Sequence, residues 1–234
     1  MKGLLSSLIV LAIILALVIP TGAATADKQN QLARDAQDVL QQIMAIPEQA
    51  IPPALMNQAE GIVILPGMLR AGFVIGGRYG NGVLLVRDEQ QRWSSPVFVT
   101  MAGGSLGWQV GAAATDVVLV FKSRRGIDDI FAGKITLGAD AAIAAGPVGR
   151  QVEGATDITF KSEIYSYSRS RGLFAGIQVE GASLSVDHTA NSLFYAHEGV
   201  TPQQVVRGEI HRQPAVAEAL RTAVAEATAG GGSG

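Results

Sequence analysis

Two hydrophobic periods divide this chain. Between residues 27 and 45 the apolar side chains fall at helical spacing. Leu32, Ala36, Val39, Leu40, Ile43 and Met44 form one stripe, with Lys28, Arg34, Asp35 and Asp38 off it. That spacing predicts an amphipathic helix, ended by Pro47. Pro52 and Pro53 make a second break, and Pro53 is placed to open a short helix through Glu60. From Gly61 the period shortens to two. Gly61 to Pro66, Ala71 to Arg78, Gly82 to Arg87, Trp93 to Met101, Gly107 to Ala112 and Asp116 to Phe121 read as strands. Tyr79-Gly80-Asn81 reads as the loop of a hairpin. Arg124 to Ala132 reads as a polar loop or one helical turn. Lys134 to Ala145 resumes the alternation, Gly146-Pro147 makes a turn, and Ile158 to Ser168 and Leu173 to Val186 are the last long strands. Pro202 opens a short helix to Gly208, and Ala215 to Ala227 is an alanine-rich terminal helix. Helix, many strands, helix is the order of an α+β fold.

Glycine sharpens the picture. Of 28 glycines, 20 lie between Gly61 and Gly181. Glycine inside a strand weakens it unless a bulge, a bend or a close backbone approach requires it. The density predicts a curved, glycine-rich antiparallel sheet closing towards a barrel and flanked by N- and C-terminal helices. It also predicts that Gly104 and Gly107 reject bulk.

The first 26 residues read as a signal peptide. Lys2 supplies the positive end, Leu4 to Ile19 is apolar apart from Ser6 and Ser7, and Ala24-Thr25-Ala26 fits a cleavage site. The apolar stretch is short for a membrane span, which needs about 20 residues. Residues 27–229 then form one domain, and 230–234 a disordered glycine-rich tail. The chain has no cysteine, so it carries neither disulfides nor a lipid-modified cysteine. The compartment this implies is a bacterial periplasm or outer envelope, with peripheral attachment. The formal charge is −2, from 18 basic and 20 acidic groups. That balance argues against nucleic acid as a partner, which wants a basic domain.

Catalytic motifs are weak. Gly103-Gly-Ser105-Leu-Gly107 matches the pattern of a hydrolase elbow, with Asp116, Asp140 or Asp157 as acid and His188 or His197 as base. Such an elbow needs a helix after the turn, whereas Thr115-Asp-Val-Val-Leu-Val reads as strand. Gly76 to Gly82 lacks the Lys-Ser/Thr of a phosphate loop. The three histidines have no i, i+4 pair, so no metal site and no cofactor are expected.

An ordered series of short segments resembles the SYLF-domain family. These are Ile62-Val-Ile-Leu-Pro66, Gly72-Phe-Val-Ile-Gly-Gly77, Trp93-Ser-Ser-Pro-Val-Phe98, Gly103-Gly-Ser-Leu-Gly-Trp-Gln-Val-Gly111 and Thr115-Asp-Val-Val-Leu-Val-Phe121. They continue with Gly146-Pro-Val-Gly-Arg150, Tyr165-Ser-Tyr-Ser-Arg169 and Gly172-Leu-Phe-Ala-Gly176. The resemblance spans roughly residues 30–196. It implies a non-catalytic binding domain: eukaryotic members bind phosphoinositides and some bind actin, and members with a signal peptide are bacterial envelope proteins.

Two basic clusters fit that implication. Lys122, Arg124 and Arg125 follow the longest apolar strand, and Arg169 and Arg171 alternate with Ser168 and Ser170. Forked guanidinium donors beside hydroxyls and open glycine backbone suit phosphate oxygens. Solvated loop charges are the alternative for both. The expected partner is an anionic lipid or membrane surface. The rival readings are an envelope protein-interaction module, a serine hydrolase and an outer-membrane barrel. The 27–45 helix is short of Lys and Arg on its polar face, which favours packing on the sheet over a place in a membrane interface.

Overall fold

Four strands carry the centre of the molecule: β1 (Gly61–Gly72), β2 (Ile75–Val86), β3 (Val97–Leu106) and β4 (Gly111–Phe121). The computed structural model describes residues 21–46, 48, 50–72, 75–106, 111–149, 160–170, 173–177 and 179–229. Ile62–Leu65, Val83–Val86 and Val117–Phe121 are all fully buried. Consecutive burial means that both faces are covered, so these runs are near-continuously apolar instead of alternating. Five shorter strands complete the sheet: β5 (Lys134–Thr136), β6 (Ile143–Ala145), β7 (Ile164–Ser170), β8 (Leu173–Gly176) and β9 (Ala182–Val186). The order is β5-β9-β3-β2-β1-β4-β7-β6, with β8 on β7. Every pair is antiparallel except β6 with β7. The sheet curls strongly into a half-barrel.

Six helices are described: α1 (Thr21–Met44), α2 (Pro53–Asn57), α3 (Arg124–Ala132), α4 (His188–Tyr195), α5 (Pro202–Val206) and α6 (Ala215–Ala229). α3 lies over the concave face, where Ile127 sits so close to Gly61 that an added Cβ would come within 2.6 Å of it. α1 packs against β1, β2, α4 and α6. It covers the convex face, because its Gln42 accepts a hydrogen bond from Arg169, which stands on the same side of the sheet as Asp116, Val118 and Val120. The fold class expected from the sequence is therefore the fold observed. α1 begins at Thr21, within the segment read as a signal peptide.

Several local expectations are corrected. Tyr79-Gly80-Asn81 is not a hairpin loop but the middle of β2, paired in turn with Ala102, Met101 and Thr100 of β3. The β1–β2 pairing instead continues to Gly72–Gly76. Pro66 does not stop β1. Pro66 and Gly67 together oppose Asp116 as a bulge, with Gly67 at φ +57°, and the strand runs on to Gly72. Gly104 faces open space and would tolerate a Cβ, while Gly107 lies outside the described residues. The glycines that reject bulk include Gly80 and Gly82, on the concave face. A Cβ at Gly80 would come within 2.8 Å of Met68, and one at Gly82 would overlap the Ile64 carbonyl. They allow the sheet to curl.

Candidate functional site

Three strand ends meet where the buried runs stop. Gly61 pairs with both Val86 and Phe121, so Glu60, Arg87 and Lys122 emerge side by side. Their backbones stay in register: the Glu60 amide donates to Phe121 at 2.8 Å, Arg87 to Glu60 at 2.9 Å, and Lys122 to Glu163 at 2.9 Å. Ser123 then opens α3 with Arg124 at its first turn. This end of the sheet concentrates cations because each chain must become polar as it leaves the core.

Beside it runs a groove of about 1240 Å³, between the segment linking β2 to β3 and the α5–α6 region, lined in part by Arg87, Arg92, Trp93, Arg207, His211 and Arg221. A smaller cleft of about 300 Å³ shares Val206 and Arg207 with it and adds Arg124 and Asp128. Trp93 fixes the far wall, since its indole N–H donates to Thr228 Oγ1 of α6 at 3.0 Å. The Ser95 hydroxyl donates to Gln213.

Three of the groove arginines have carboxylate neighbours. Arg92 lies 2.9 Å from Asp88, Arg221 2.6 Å from Glu218, and Arg207 3.5 Å from Glu209. Arg87 has none. Its guanidinium lies 5.0 Å from the centroid of the Trp93 ring and donates to the carbonyls of Asn57 and Met56 at 3.3 Å and to Gln91 at 3.0 Å. Its Nε is buried without a partner. A cation held on an aromatic face and only weakly satisfied by neutral acceptors is primed for an anion. Burial pushes the Asp88 carboxyl up, but hydrogen bonds from the Arg92 and Gln90 amides and the Arg92 side chain hold it below the usual range.

The residues singled out in the sequence fall in two places. Lys122, Arg124 and Arg125 gather at the start of α3. Lys122 donates to the Phe160 carbonyl and lies 5.7 Å from that ring. Arg124 donates to the Arg87 carbonyl and lies 3.8 Å from Asp128. Arg125 turns to a separate cleft with Asp129, Lys134 and Asp140. Arg169 stands beside the middle of β4, opposite Asp116 and about 17 Å along the strand from Phe121. Asp116 holds it there at 2.7 and 3.0 Å. Arg171 lies outside the described residues. The sequence reading missed Arg87, Arg92, Arg207 and Arg221. Only one signal for them was present: Arg87, like Lys122, directly follows a wholly apolar run.

The Gly103-Gly-Ser105 segment lies in β3, paired residue for residue with Arg78, Gly77 and Gly76 of β2. Asp116, a candidate acid, is already occupied by Arg169 and the Gly67 amide. Among the described residues no group of acidic or histidine side chains forms a metal site, and no helix is long and apolar enough to cross a membrane.

Residues 102–227, more than half of the chain, match the family described as Ysc84, Las17-binding protein actin regulator. The chain belongs to the Ysc84 family. That is the SYLF resemblance carried by the ordered motifs. Among family relatives, the SH3 domain-containing YSC84-like protein 1 of Xenopus laevis is 34% identical over 187 residues, covering 77% of this chain and 55% of that protein. Protein YSC84 of Saccharomyces cerevisiae is 36% identical over 177 residues, covering 74% and 37%. LAS seventeen-binding protein 3 of the same yeast is 36% identical over 172 residues, covering 72% and 37%. The chain thus spans about half or less of these Ysc84-family relatives.

Proposed function

We propose that this chain is a non-catalytic binding module whose arginine-lined groove takes the anionic head of a lipid or similar amphiphile. The observation that carries the reading is Arg87. It is a guanidinium without a carboxylate partner among the described residues, laid on Trp93 beside Arg92, Arg124 and Arg207. Planar forks of this kind match phosphate oxygens, and the surrounding Trp93, Val205, Val206 and Ile210 offer apolar contact to the rest of the molecule. Lys122 and Arg125 are proposed as outer contacts at the same end. Arg169 and Arg171 are proposed as a second, separate contact. The proposed setting is the face of a membrane in the bacterial envelope, reached after removal of residues 1–26 and held peripherally.

A second reading has its own support. Relatives named for binding Las17, and a family described as an actin regulator, favour a protein partner. Flotation of the protein with phosphatidylcholine vesicles, with and without a third of phosphatidylserine, separates the two. Binding that needs the anionic lipid and falls several-fold in Arg87→Gln supports the lipid reading. Equal capture by both vesicles, or by neither, returns the groove to a protein partner.

A further inference from the structure

Beyond the bulge at Gly67 the sheet projects past its helices. Here two neighbouring rungs of the β1–β2 ladder carry large side chains on opposite faces. Leu69 pairs with Tyr79, and Arg70 pairs with Arg78. Leu69 and Tyr79 stand on the convex face and are 59% and 52% exposed, more than any other large apolar side chain among the described residues. Around them the face is smooth. Gly77 and Gly104, a cross-strand pair, would place a Cβ in open space, and Ala102 and Ala114 are exposed.

The arginines stand on the other, concave face. Direct cross-strand partners bring their Cβ atoms to about 5 Å, where like charges destabilise the ladder. No carboxylate pairs with either among the described residues. The four central strands supply none, because no acidic residue occurs between Glu60 and Asp88 or between Glu89 and Asp116. The Nε of Arg78 is buried without a hydrogen-bond partner. Burial and the neighbouring Arg70 both push the Arg78 guanidinium pKa down. Two repelling cations with an orphaned donor form an incomplete site that an acceptor-rich anion would complete.

We propose that this projecting end is a membrane-docking surface, in which Arg70 and Arg78 clamp the phosphate of an anionic lipid while Leu69 and Tyr79 enter the interface. The occupant follows from the chemistry on the two faces. A free phosphate would use the arginines but leave the Leu69–Tyr79 pair in water. A bilayer surface supplies phosphate and apolar contact at one depth, and a tyrosine with its hydroxyl end wet suits that depth. The site lies at the opposite end of the strands from the Arg87 groove, so it deepens the proposed membrane association by giving it a second point of attachment, and rests on that reading.

The test uses the full chain and sedimentation with vesicles of phosphatidylcholine containing 30% phosphatidylserine. Arg70→Gln with Arg78→Gln is expected to weaken binding at least about tenfold, each basic group near an anionic surface contributing a factor of several. Leu69→Ser with Tyr79→Ser is expected to weaken it several-fold even at high salt, where screening has removed the charge contribution. The arginine variant should melt at the same temperature as the parent or higher, because it removes a repulsive pair. Lost vesicle binding with a lowered midpoint would mark a structural role and overturn the proposal. Vesicle binding unchanged in both arm variants but lost in Arg87→Gln would overturn the arm and keep the groove. A parent protein that binds no vesicle would overturn both readings. Displacement of vesicles by inorganic phosphate at equal phosphate concentration would assign the arginines to a soluble anion and overturn the membrane assignment.

Discussion

The carboxylate of Asp116 accepts the amide of Gly67 at 2.9 Å, across the bulge that Pro66 forces into β1. The same carboxylate holds Arg169 of β7 at 2.7 Å. One side chain thus satisfies an amide that the bulge removes from the ladder and fixes the strand on its other side. Asp116→Ala should cost roughly 1 kcal/mol, because it removes two charge-assisted hydrogen bonds to a partly buried Arg169, leaving it only Gln42, while water can take over the exposed Gly67 amide. Urea unfolding measures it. A midpoint equal to the parent would show that the bulge holds without the carboxylate.

Glycine content is not uniform in meaning. A Cβ at Gly82 would overlap the Ile64 carbonyl, which is backbone and cannot swing away, whereas a Cβ at Gly104 would meet nothing within 4 Å. Gly82→Ala should therefore destabilise by roughly 1–3 kcal/mol, as overpacking does. Gly104→Ala should be neutral or slightly stabilising, since alanine restricts the unfolded chain. Thermal midpoints of the two variants test the curled-sheet geometry directly, and equal losses would contradict it.

That contrast also shows what the sequence made legible. The runs Ile62–Leu65, Val83–Val86 and Val117–Phe121 announce themselves as strands because burial on both faces demands unbroken apolar residues. Tyr79-Gly80-Asn81 misled because glycine and asparagine favour turns locally, while here Gly80 and Gly82 serve a curvature imposed by distant Met68 and Ile64. The helix at Arg124–Ala132 was obscured by Gly126, which is needed because the Phe121 ring lies 3.2 Å from where its Cβ would be. The helix His188–Tyr195 was hidden inside a strand-to-loop boundary, though Asp187 caps it through the Ala190 amide at 2.9 Å. Lys122, Arg124 and Arg125 were visible as candidates because they are adjacent in sequence. Arg87 and Arg207 were not, because only the packing of the α5–α6 segment beside residues 87–95 brings them together.

Asp88 gives the groove an acid-sensitive turn. Its carboxylate accepts the amides of Gln90 at 2.9 Å and Arg92 at 2.8 Å, closing the turn that presents Arg92. The folded carboxyl titrates below its ordinary value of about 4. A depressed folded pKa means that the ionised group contributes stability above the unfolded pKa, and that this is lost as pH falls through the folded one. Asp88→Asn should accordingly lower the thermal midpoint at pH 7, and the gap to the parent should narrow below about pH 4. A gap constant with pH would assign the effect to shape and not to charge.

Adjacent arginines at the start of α3 provide the sharpest check on the groove. Arg124 donates to the Arg87 carbonyl and lines the cleft that shares Val206 and Arg207 with the groove. Arg125, one residue on, turns about 100° around the helix into a different cleft, beside Asp129 and Asp140. Both carry the same charge, so a purely long-range attraction to an anionic surface would make Arg124→Gln and Arg125→Gln equivalent. Headgroup binding in the groove predicts a difference: Arg124→Gln should weaken capture by anionic vesicles several-fold, and Arg125→Gln by less than about twofold, a basic group near such a surface being worth on the order of 1 kcal/mol. Both losses should shrink with added salt, since exposed charges are screened within about 8 Å at physiological ionic strength. Equal losses in the two variants would reduce the groove to a patch of diffuse charge. A larger loss in Arg125→Gln would move the contact to the Asp129–Asp140 side of α3.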